Sequence, residues 1–371
     1  MNYDVIIAGA SFGGLAAANA LIGKRVLLVD PKPIGTGQTS ACGTLCGVIE
    51  ALGLYDSLRQ VHSSIILHTP HYDLIYRLAY PLCTFDYADF CTLLADRSGA
   101  DFLQANVFGL DGDTVVTGQG DYRARCVIDA SGWRAVFSPE GSRAYQSQRG
   151  MSFGIETTVS YQEQDLHFWY EPDRLIPFGA AWLFPVGAVS RFGLASYRGQ
   201  TKLRAELVDW LDKDFDLSPA GFHGGYLPYT LQAPAAGRIF RVGDAAGHCL
   251  PLTGEGIRPA LYFGLAAGRL IRRVLDDELP LEQALTRYND FVMKHRIYYD
   301  TLLRLQHWLP RLPVRLTEGV VRLVHWPRVL KPVMRVYRQA FDPTTLKPTA
   351  EELRAIQRLS PDRRRQPYLA V

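Results

Sequence analysis

Residues 3–30 read YDVIIAGASFGGLAAANALIGKRVLLVD, and this stretch decides the fold. Residues 3–9 are an apolar strand, 13–22 a helix of small residues, and 25–30 a second apolar strand. Strand, glycine turn, helix and strand within about 30 residues make a parallel βαβ unit. The turn, Gly9-Ala-Ser11-Phe-Gly13-Gly14, occupies the place of a G-x-G-x-x-G. Gly9 permits the tight exit from the strand, and Gly14 lets the helix pack closely on the sheet. Ser11 stands where a middle glycine normally admits a pyrophosphate; its hydroxyl is itself a phosphate donor. The N–H groups at the helix start form an anion site. Asp30 ends the second strand, placed for a ribose hydroxyl. The turn points to a dinucleotide and leaves NAD and FAD both open.

The bulk numbers bound the class. The chain has 371 residues, 47% of them apolar, enough for a large core in one large domain or two interleaved ones. A net charge of +3 gives no reason to expect a nucleic-acid partner. No basic and apolar leader precedes the first strand, and no uncharged apolar run reaches about 18 residues, so a cytoplasmic protein is expected. Six cysteines, Cys42, Cys46, Cys83, Cys91, Cys126 and Cys249, are expected as free thiols. No His or second Cys pair lies at ligand spacing, so no metal is expected.

Beyond Asp30 a loop rich in Gly, Thr and Pro runs to Gly47, and Val48 to Leu58 reads as a helix. Alternation over 64–80 predicts a hairpin away from the first sheet. Asp86 to Arg97 reads as a helix, and 101–129 as a three-stranded meander ending in CVIDASG. Residues 150–235 carry strand signals (MSFGIETTV, DLHFWY, AAWLFPV, RFGLASY) interrupted by one helix at 201–213. RIFRVGDAAG then returns to strand and glycine turn, followed by a long helix over 254–276. The expected organisation is a discontinuous nucleotide-binding domain (1–80 with a small hairpin insertion, 81–150 and 236–278), a β-rich substrate layer at 151–235, and a basic helical region at 279–371.

The second glycine stretch sharpens the cofactor. Arg241-Val-Gly243-Asp244-Ala-Ala-Gly247 leads into Pro251-Leu-Thr253-Gly254-Glu-Gly256-Ile257. An Asp after a strand accepts bonds from a polyol or sits beside a diphosphate. A glycine-bracketed helix start presents N–H groups and a positive dipole end, which suits the anionic edge of a reduced flavin. With GASFGG at 9–14 and IDASG at 128–132, these residues resemble the large family of FAD enzymes that includes the aromatic hydroxylases, the flavin halogenases and the geranylgeranyl reductases. The resemblance covers residues 3 to about 275 and implies a glutathione-reductase-type FAD fold. It implies that Asp244 and the backbone at Gly256 and Ile257 contact FAD, and that Val107 lies near the adenine. Tyr87 departs from the pattern, standing where many relatives carry an Arg toward the cofactor.

A narrower likeness bears on the reaction. Pro177-Phe-Gly-Ala180-Ala-Trp182-Leu-Phe184-Pro185 resembles the P-x-x-Y-x-W-x-F-P signature of the geranylgeranyl reductases, with Ala180 replacing the tyrosine. A bulky aromatic wall with rigid proline ends suits a slot for a hydrocarbon chain; the plainer reading of Trp182 and Phe184 is two inward residues of a sheet at period two. Relatives also carry a Cys-Gly pair in a loop against the flavin, here Cys42-Gly43, which makes Cys42 a flavin-loop residue and a candidate for catalysis. Cys46 is four residues on, but a disulfide reductase needs a second nucleotide fingerprint, and none is found.

Between Lys294 and Arg338 ten basic residues face two acids, Asp300 and Glu318, with Trp, Leu and Val interleaved. Short, Pro-broken helices of that composition suit either a cap packed on the core or an anionic membrane surface. The expected activity is hydride transfer from reduced FAD to carbon–carbon double bonds of an isoprenoid or similar apolar chain, with NADPH or a ferredoxin as external electron donor. The alternatives are a monooxygenase or halogenase on an apolar or aromatic substrate, a non-redox flavoprotein like the lycopene cyclases, and an FAD-holding binding protein. A halogenase's W-x-W-x-I-P stretch is missing.

Overall fold

The computed structural model describes residues 2–138, 150–219 and 221–359. The opening stretch folds as β1 (Asn2–Ala8), α1 (Phe12–Ala20) and β2 (Val26–Asp30). A short strand β3 (Gly43–Leu45) runs into α2 (Cys46–Leu52), followed by β4 (Leu58–Thr69), β5 (Tyr72–Phe85) and α3 (Tyr87–Ser98). The strands β6 (Asp101–Gln104), β7 (Val107–Asp111), β8 (Thr114–Thr117) and β9 (Gly120–Asp129) come next. Then follow β10 (Met151–Val159), β11 (Leu166–Trp169), β12 (Gly179–Val186), β13 (Val189–Ser196), α4 (Arg204–Phe215) and β14 (His223–Pro228). The chain continues through β15 (Ala235–Ala236), β16 (Ile239–Arg241) and α5 (Ile257–Leu275). It ends in α6 (Leu281–Met293), α7 (Arg296–Trp308), α8 (Val314–His325), α9 (Pro327–Ala340) and α10 (Ala350–Arg358).

Two eight-stranded sheets result. The first runs β15-β16-β9-β1-β2-β6 with β7 and β8 attached to β9; from β16 to β6 its neighbours are parallel. Alternation along β1 divides its side chains cleanly: Val5 and Ile7 pack with α1 and α5, while Ile6 and Ala8 pack with Val115 and Val127 of the meander. The second sheet runs β14-β10-β13-β12-β11-β4-β5-β3. One of its faces packs Ala181, Leu183, Phe192 and Leu194 against Leu207, Trp210 and Leu211 of α4.

Three expectations change. The helix expected over Val48–Leu58 ends at Leu52, because Gly53 takes a left-handed conformation (φ 66°) as its carboxyl cap, and strand begins at Leu58. The hairpin expected at 64–80 extends over both β4 and β5; it is no small insertion, since β4 pairs in parallel with β11 and joins the second sheet. The three-stranded meander is β7–β9 only, because β6 pairs in parallel with β2 at the edge of the first sheet.

Helix α5 crosses α1 at glycines. A Cβ built on Gly264 would lie 2.4 Å from the Gly13 carbonyl oxygen, and one on Gly268 2.5 Å from that of Ala17. Overpacking of this kind costs about 1–3 kcal/mol, so Gly264→Ala is expected to lower the urea unfolding midpoint. Gly319→Ala, at an exposed helical site where the new methyl meets nothing within 4 Å, is expected to leave it unchanged or raise it.

Candidate active site

Segments far apart in sequence meet at the amino end of α1. A Cβ on Gly9 would fall 2.1 Å from the Ala130 carbonyl oxygen, and one on Gly14 1.9 Å from that of Gly9. On Gly13 it would fall 2.7 Å from Cγ1 of Val242 and 3.6 Å from the Ala260 carbonyl oxygen. GASFGG therefore meets IDASG through backbone and Val242, just before GDAAG, through a side chain. Backbone bonds fix the meeting: Ala130 N–H donates to Ala8 C=O and Val242 N–H to Asp129 C=O, each at 2.8 Å. The buried Asp129 carboxylate accepts the Ser131 and Phe137 N–H groups and the Ser131 hydroxyl. It shapes the turn after β9.

Ser11 is the N-cap of α1 and contributes no side-chain cap, so the first N–H groups of the helix keep their capacity for an anion. The Tyr87 hydroxyl donates to Ser11 Oγ at 3.0 Å, so the tyrosine in the arginine's place orients the serine in the glycine's place. Asp30 accepts the Ala10 N–H on Oδ2 and the Lys32 N–H on Oδ1, both at 2.9 Å, each oxygen keeping a lone pair. Val107 opens β7 and is half-buried against the meander side of the first sheet.

At the second glycine stretch, burial pushes the Asp244 carboxyl up to about 7. A Cβ on Gly256 would stand 3.9 Å from Asp244 Oδ1. Gly256 caps α5 without a side chain, and Gly254 beside it takes φ 64°. The loop between is pinned: Leu252, at φ 65°, gives its N–H to Gln306 Oε1 at 2.6 Å and accepts the Tyr197 hydroxyl at 3.0 Å. The fully buried His248 accepts the Gly243 N–H on Nδ1 at 3.1 Å, and burial lowers it to about 3, so it is neutral.

Cys42 and Gly43 lie where the loop after β2 enters β3 at the edge of the second sheet. A Cβ on Gly43 would sit 2.6 Å from the Phe184 ring. Cys42 is fully buried at φ 55°; its thiol donates to the Ser40 carbonyl at 3.3 Å, and burial pushes it up to about 12. It is a thiol, not a thiolate, at neutral pH. The buried Arg191 clamps the loop by donating to the Ala41 and Phe85 carbonyls. Cys46, a free thiol, hydrogen-bonds with Cys83 rather than Cys42, which lowers its pKa.

Above the loop, β10, β12, β13 and β14 present one continuous face. Gly193 pairs with both Glu156 and Trp182, and Glu156 pairs with His223. The Trp182 ring lies on Gly193, where a Cβ would come within 2.1 Å of it, and reaches across to give its indole N–H to Glu156 at 2.8 Å. Phe184 meets Phe168 edge-on at 5.4 Å. Pro185 points to the other side of β12, its carbonyl accepting the Thr84 hydroxyl. Glu156, His223, Arg191, His248 and Gln306 escaped the sequence reading because no spacing marks them. The one available signal was Glu156, an acid two positions from Gly154 inside an otherwise uncharged strand.

The assembled residues fit FAD: a glycine cradle that any side chain would fill, uncapped N–H groups on α1 and α5, and carboxylates at Asp30 and Asp244. No family model matches the chain. It is 25% identical to the digeranylgeranylglycerophospholipid reductase of Methanocaldococcus jannaschii over 82% of this chain and 87% of that one. Among solved structures, a geranylgeranyl bacteriochlorophyll reductase-like protein from Thermoplasma acidophilum matches 98% of this chain and 97% of its own, with a TM-score of 0.75 at 19% identity. A flavin-dependent brominase matches 96% and 98%, with a TM-score of 0.69 at 15% identity. The fold is the glutathione-reductase-type fold of FAD-dependent oxidoreductases, and the curated likeness is to the geranylgeranyl reductases.

Thiol chemistry gives a check on the loop. Under native conditions at pH 8, iodoacetamide is expected to alkylate the half-buried Cys46 before Cys42, with mass mapping as the readout. Prior modification of Cys42 would contradict the packing described.

Proposed function

We propose that the protein reduces carbon–carbon double bonds in an isoprenoid or similarly apolar lipid chain. It is an FAD-dependent oxidoreductase; its fold, the fit of its cradle to FAD and its reductase relatives support this. The observation that carries the finer reading is the aromatic face over the Cys42–Gly43 loop, where Trp182 lies flat on Gly193 and Phe184 packs on Gly43. A wall of aromatic carbon with no side chain beneath it holds a flat, unfunctionalised chain by apolar contact.

Bound FAD would supply hydride. The protein's own groups do the rest. Gly9, Ser11, Gly13, Gly14 and Asp30 would hold the adenosine diphosphate portion, with Val107 toward the adenine. Asp244, Gly254, Gly256 and Ile257 would hold the flavin end, with Cys42 and Gly43 against the ring. Trp182 and Phe184 would orient the chain, and Pro185 would stiffen the strand carrying them. Ala180 in place of a tyrosine leaves the slot wider. The electrons would come from an external donor, NADPH or a ferredoxin.

The carboxy-terminal helices supply a route for the lipid. Leu316, Val320 and Leu323 line one side of α8 at helical spacing and are exposed, as are Trp308, Trp326, Val333 and Val336. Exposed cations lie among them at Arg304, Arg311, Arg315, Arg322, Arg328, Lys331 and Arg335, while Glu318 is turned inward to His71. The β4–β5 hairpin adds exposed Tyr72 and Ile75 beside α8. No helix among the described residues is long and apolar enough to cross a membrane. Exposed Trp, Leu and Val among exposed cations suit the surface of an anionic bilayer.

Two measurements test this. The protein, reduced anaerobically and offered a polyprenyl lipid, is expected to be reoxidised while the product gains two hydrogens. Reoxidation by oxygen alone, with oxygen or halide in the product, would establish the monooxygenase or halogenase reading instead. In flotation with anionic vesicles the protein is expected to rise with the lipid, and the double variant Leu323→Glu, Trp326→Glu to stay behind. Equal flotation of both would remove the docking surface.

A further inference from the structure

An acid–imidazole pair, Glu156 and His223, lies on the aromatic face. Glu156 is 3% exposed, and both its carboxylate oxygens are engaged. Oε2 accepts the Trp182 indole N–H at 2.8 Å, and Oε1 meets His223 Nε2 at 2.9 Å. An indole nitrogen only donates, so Oε2 is an acceptor, and Oε1 accepts as well when the acid is ionised. With an ionised Glu156 the imidazole donates from Nε2, which leaves Nδ1 as the nitrogen available to a ligand. Nδ1 makes no hydrogen bond among the described residues. The His223 side chain is 29% exposed against 4% for that of Glu156, so the imidazole is the member of the pair open to a ligand.

Strand alternation fixes which way the pair faces. His223, Gly225 and Leu227 share one side of β14. On that side a Cβ at Gly225 would stand 3.6 Å from Thr39, and Leu227 Cδ1 lies 4.0 Å from a Cβ built on Gly254. The side bearing His223 is thus turned to the Thr39–Gly43 loop and to the start of α5, the two segments that line the flavin end of the cleft. The cation on this end of the strand, Arg204, sits over the Phe222 ring, which belongs to the opposite face.

We infer that His223 is the proton donor of the reduction and that Glu156 is its positioning residue. The inference rests on the double-bond-reducing reading. One alkene carbon gains a hydride, with both electrons, from the reduced flavin. The other forms a C–H bond as the Nδ1–H bond of the His223 imidazolium breaks. No group leaves, the flavin ends oxidised, and the imidazole ends neutral and is recharged from solvent at its exposed edge. Glu156, unable to leave its bond with Trp182, stabilises the charged imidazole and ties the donor's position to the ring that forms the slot.

The test uses the full chain with its flavin, reduced anaerobically, in a single turnover with a polyprenyl lipid. His223→Gln is expected to slow reoxidation by about 10²-fold or more, with lipid affinity and flavin content unchanged. The wild-type rate is expected to fall as the solution is made more alkaline, and the His223→Gln rate to stay level. Glu156→Gln is expected to move that fall to lower pH. A readout independent of turnover is the imidazole ¹⁵N spectrum, in which the neutral His223 ring should carry its proton on Nε2. A reactive wild type matched in rate and pH profile by His223→Gln overturns this assignment and leaves the reductase reading intact. A neutral His223 protonated on Nδ1 also overturns it. A wild type that no polyprenyl lipid reoxidises overturns the reductase reading itself.

Discussion

Between Gly13 and Gly264 there is no room for a methyl group. The rest of the cofactor cleft follows from that closeness. Because α5 lies backbone-to-backbone on α1, the amino ends of the two helices open toward the same space, and both are uncapped by side chains. Neither helix brings an acid in its first turn to occupy those N–H groups. Two partial positive charges of about half a unit each are thereby aimed at one place, and only a ligand with negative charge at two separated points satisfies both. A pyrophosphate at one end and a reduced flavin ring at the other meet that requirement; a mononucleotide would not.

The same closeness explains why the first sheet could be read from residues 3–30 while the second could not. Gly14 is needed for a local contact with the Gly9 carbonyl, while Gly9 and Gly13 make room for Ala130, Val242 and Ala260; all three sit in one turn, so their spacing is written in sequence. Val242 and Ala260, which complete the cradle, are ordinary apolar residues whose role exists only after the chain has returned. The hairpin is the sharper case. Alternation over 64–80 disclosed strands but not their partner, because a strand's pattern tells which face is buried and says nothing of which strand lies beside it. That β4 pairs with β11 is a fact of topology.

Charged residues behaved the same way. The basic stretch from Lys294 was visible as composition, yet its two acids carry different weight in the structure: Asp300 is paired at the surface with Arg296, while Glu318 is buried against His71. Glu156 gave no signal beyond its presence in a strand, since its partners, Trp182 and His223, lie 26 and 67 residues away. The two departures at the glycine turn proved to be one: Tyr87 and Ser11 share a hydrogen bond. Read separately, Ser11 was a phosphate donor in place of a glycine and Tyr87 the loss of an arginine, whereas together they are a substituted pair.

Among the contacts that join the carboxy-terminal helices to the cleft is a fully buried cation. Arg258, fully buried in the first turn of α5, forms a bidentate pair with Glu255, stacks 4.3 Å from the Tyr337 ring and donates to the Tyr337 carbonyl. Removing one partner of such a pair costs about 3–5 kcal/mol, because the other charge is stranded without water. Glu255 lies between Gly254 and Gly256, so the force that holds α9 in place acts on the backbone at the start of α5. An apolar residue at 258 would have packed α9 as tightly with no desolvation cost. What the ion pair adds is direction, since a guanidinium fork fixes the angle of its carboxylate. The glycines flanking that carboxylate have little conformational preference of their own, and the pair supplies the constraint they lack.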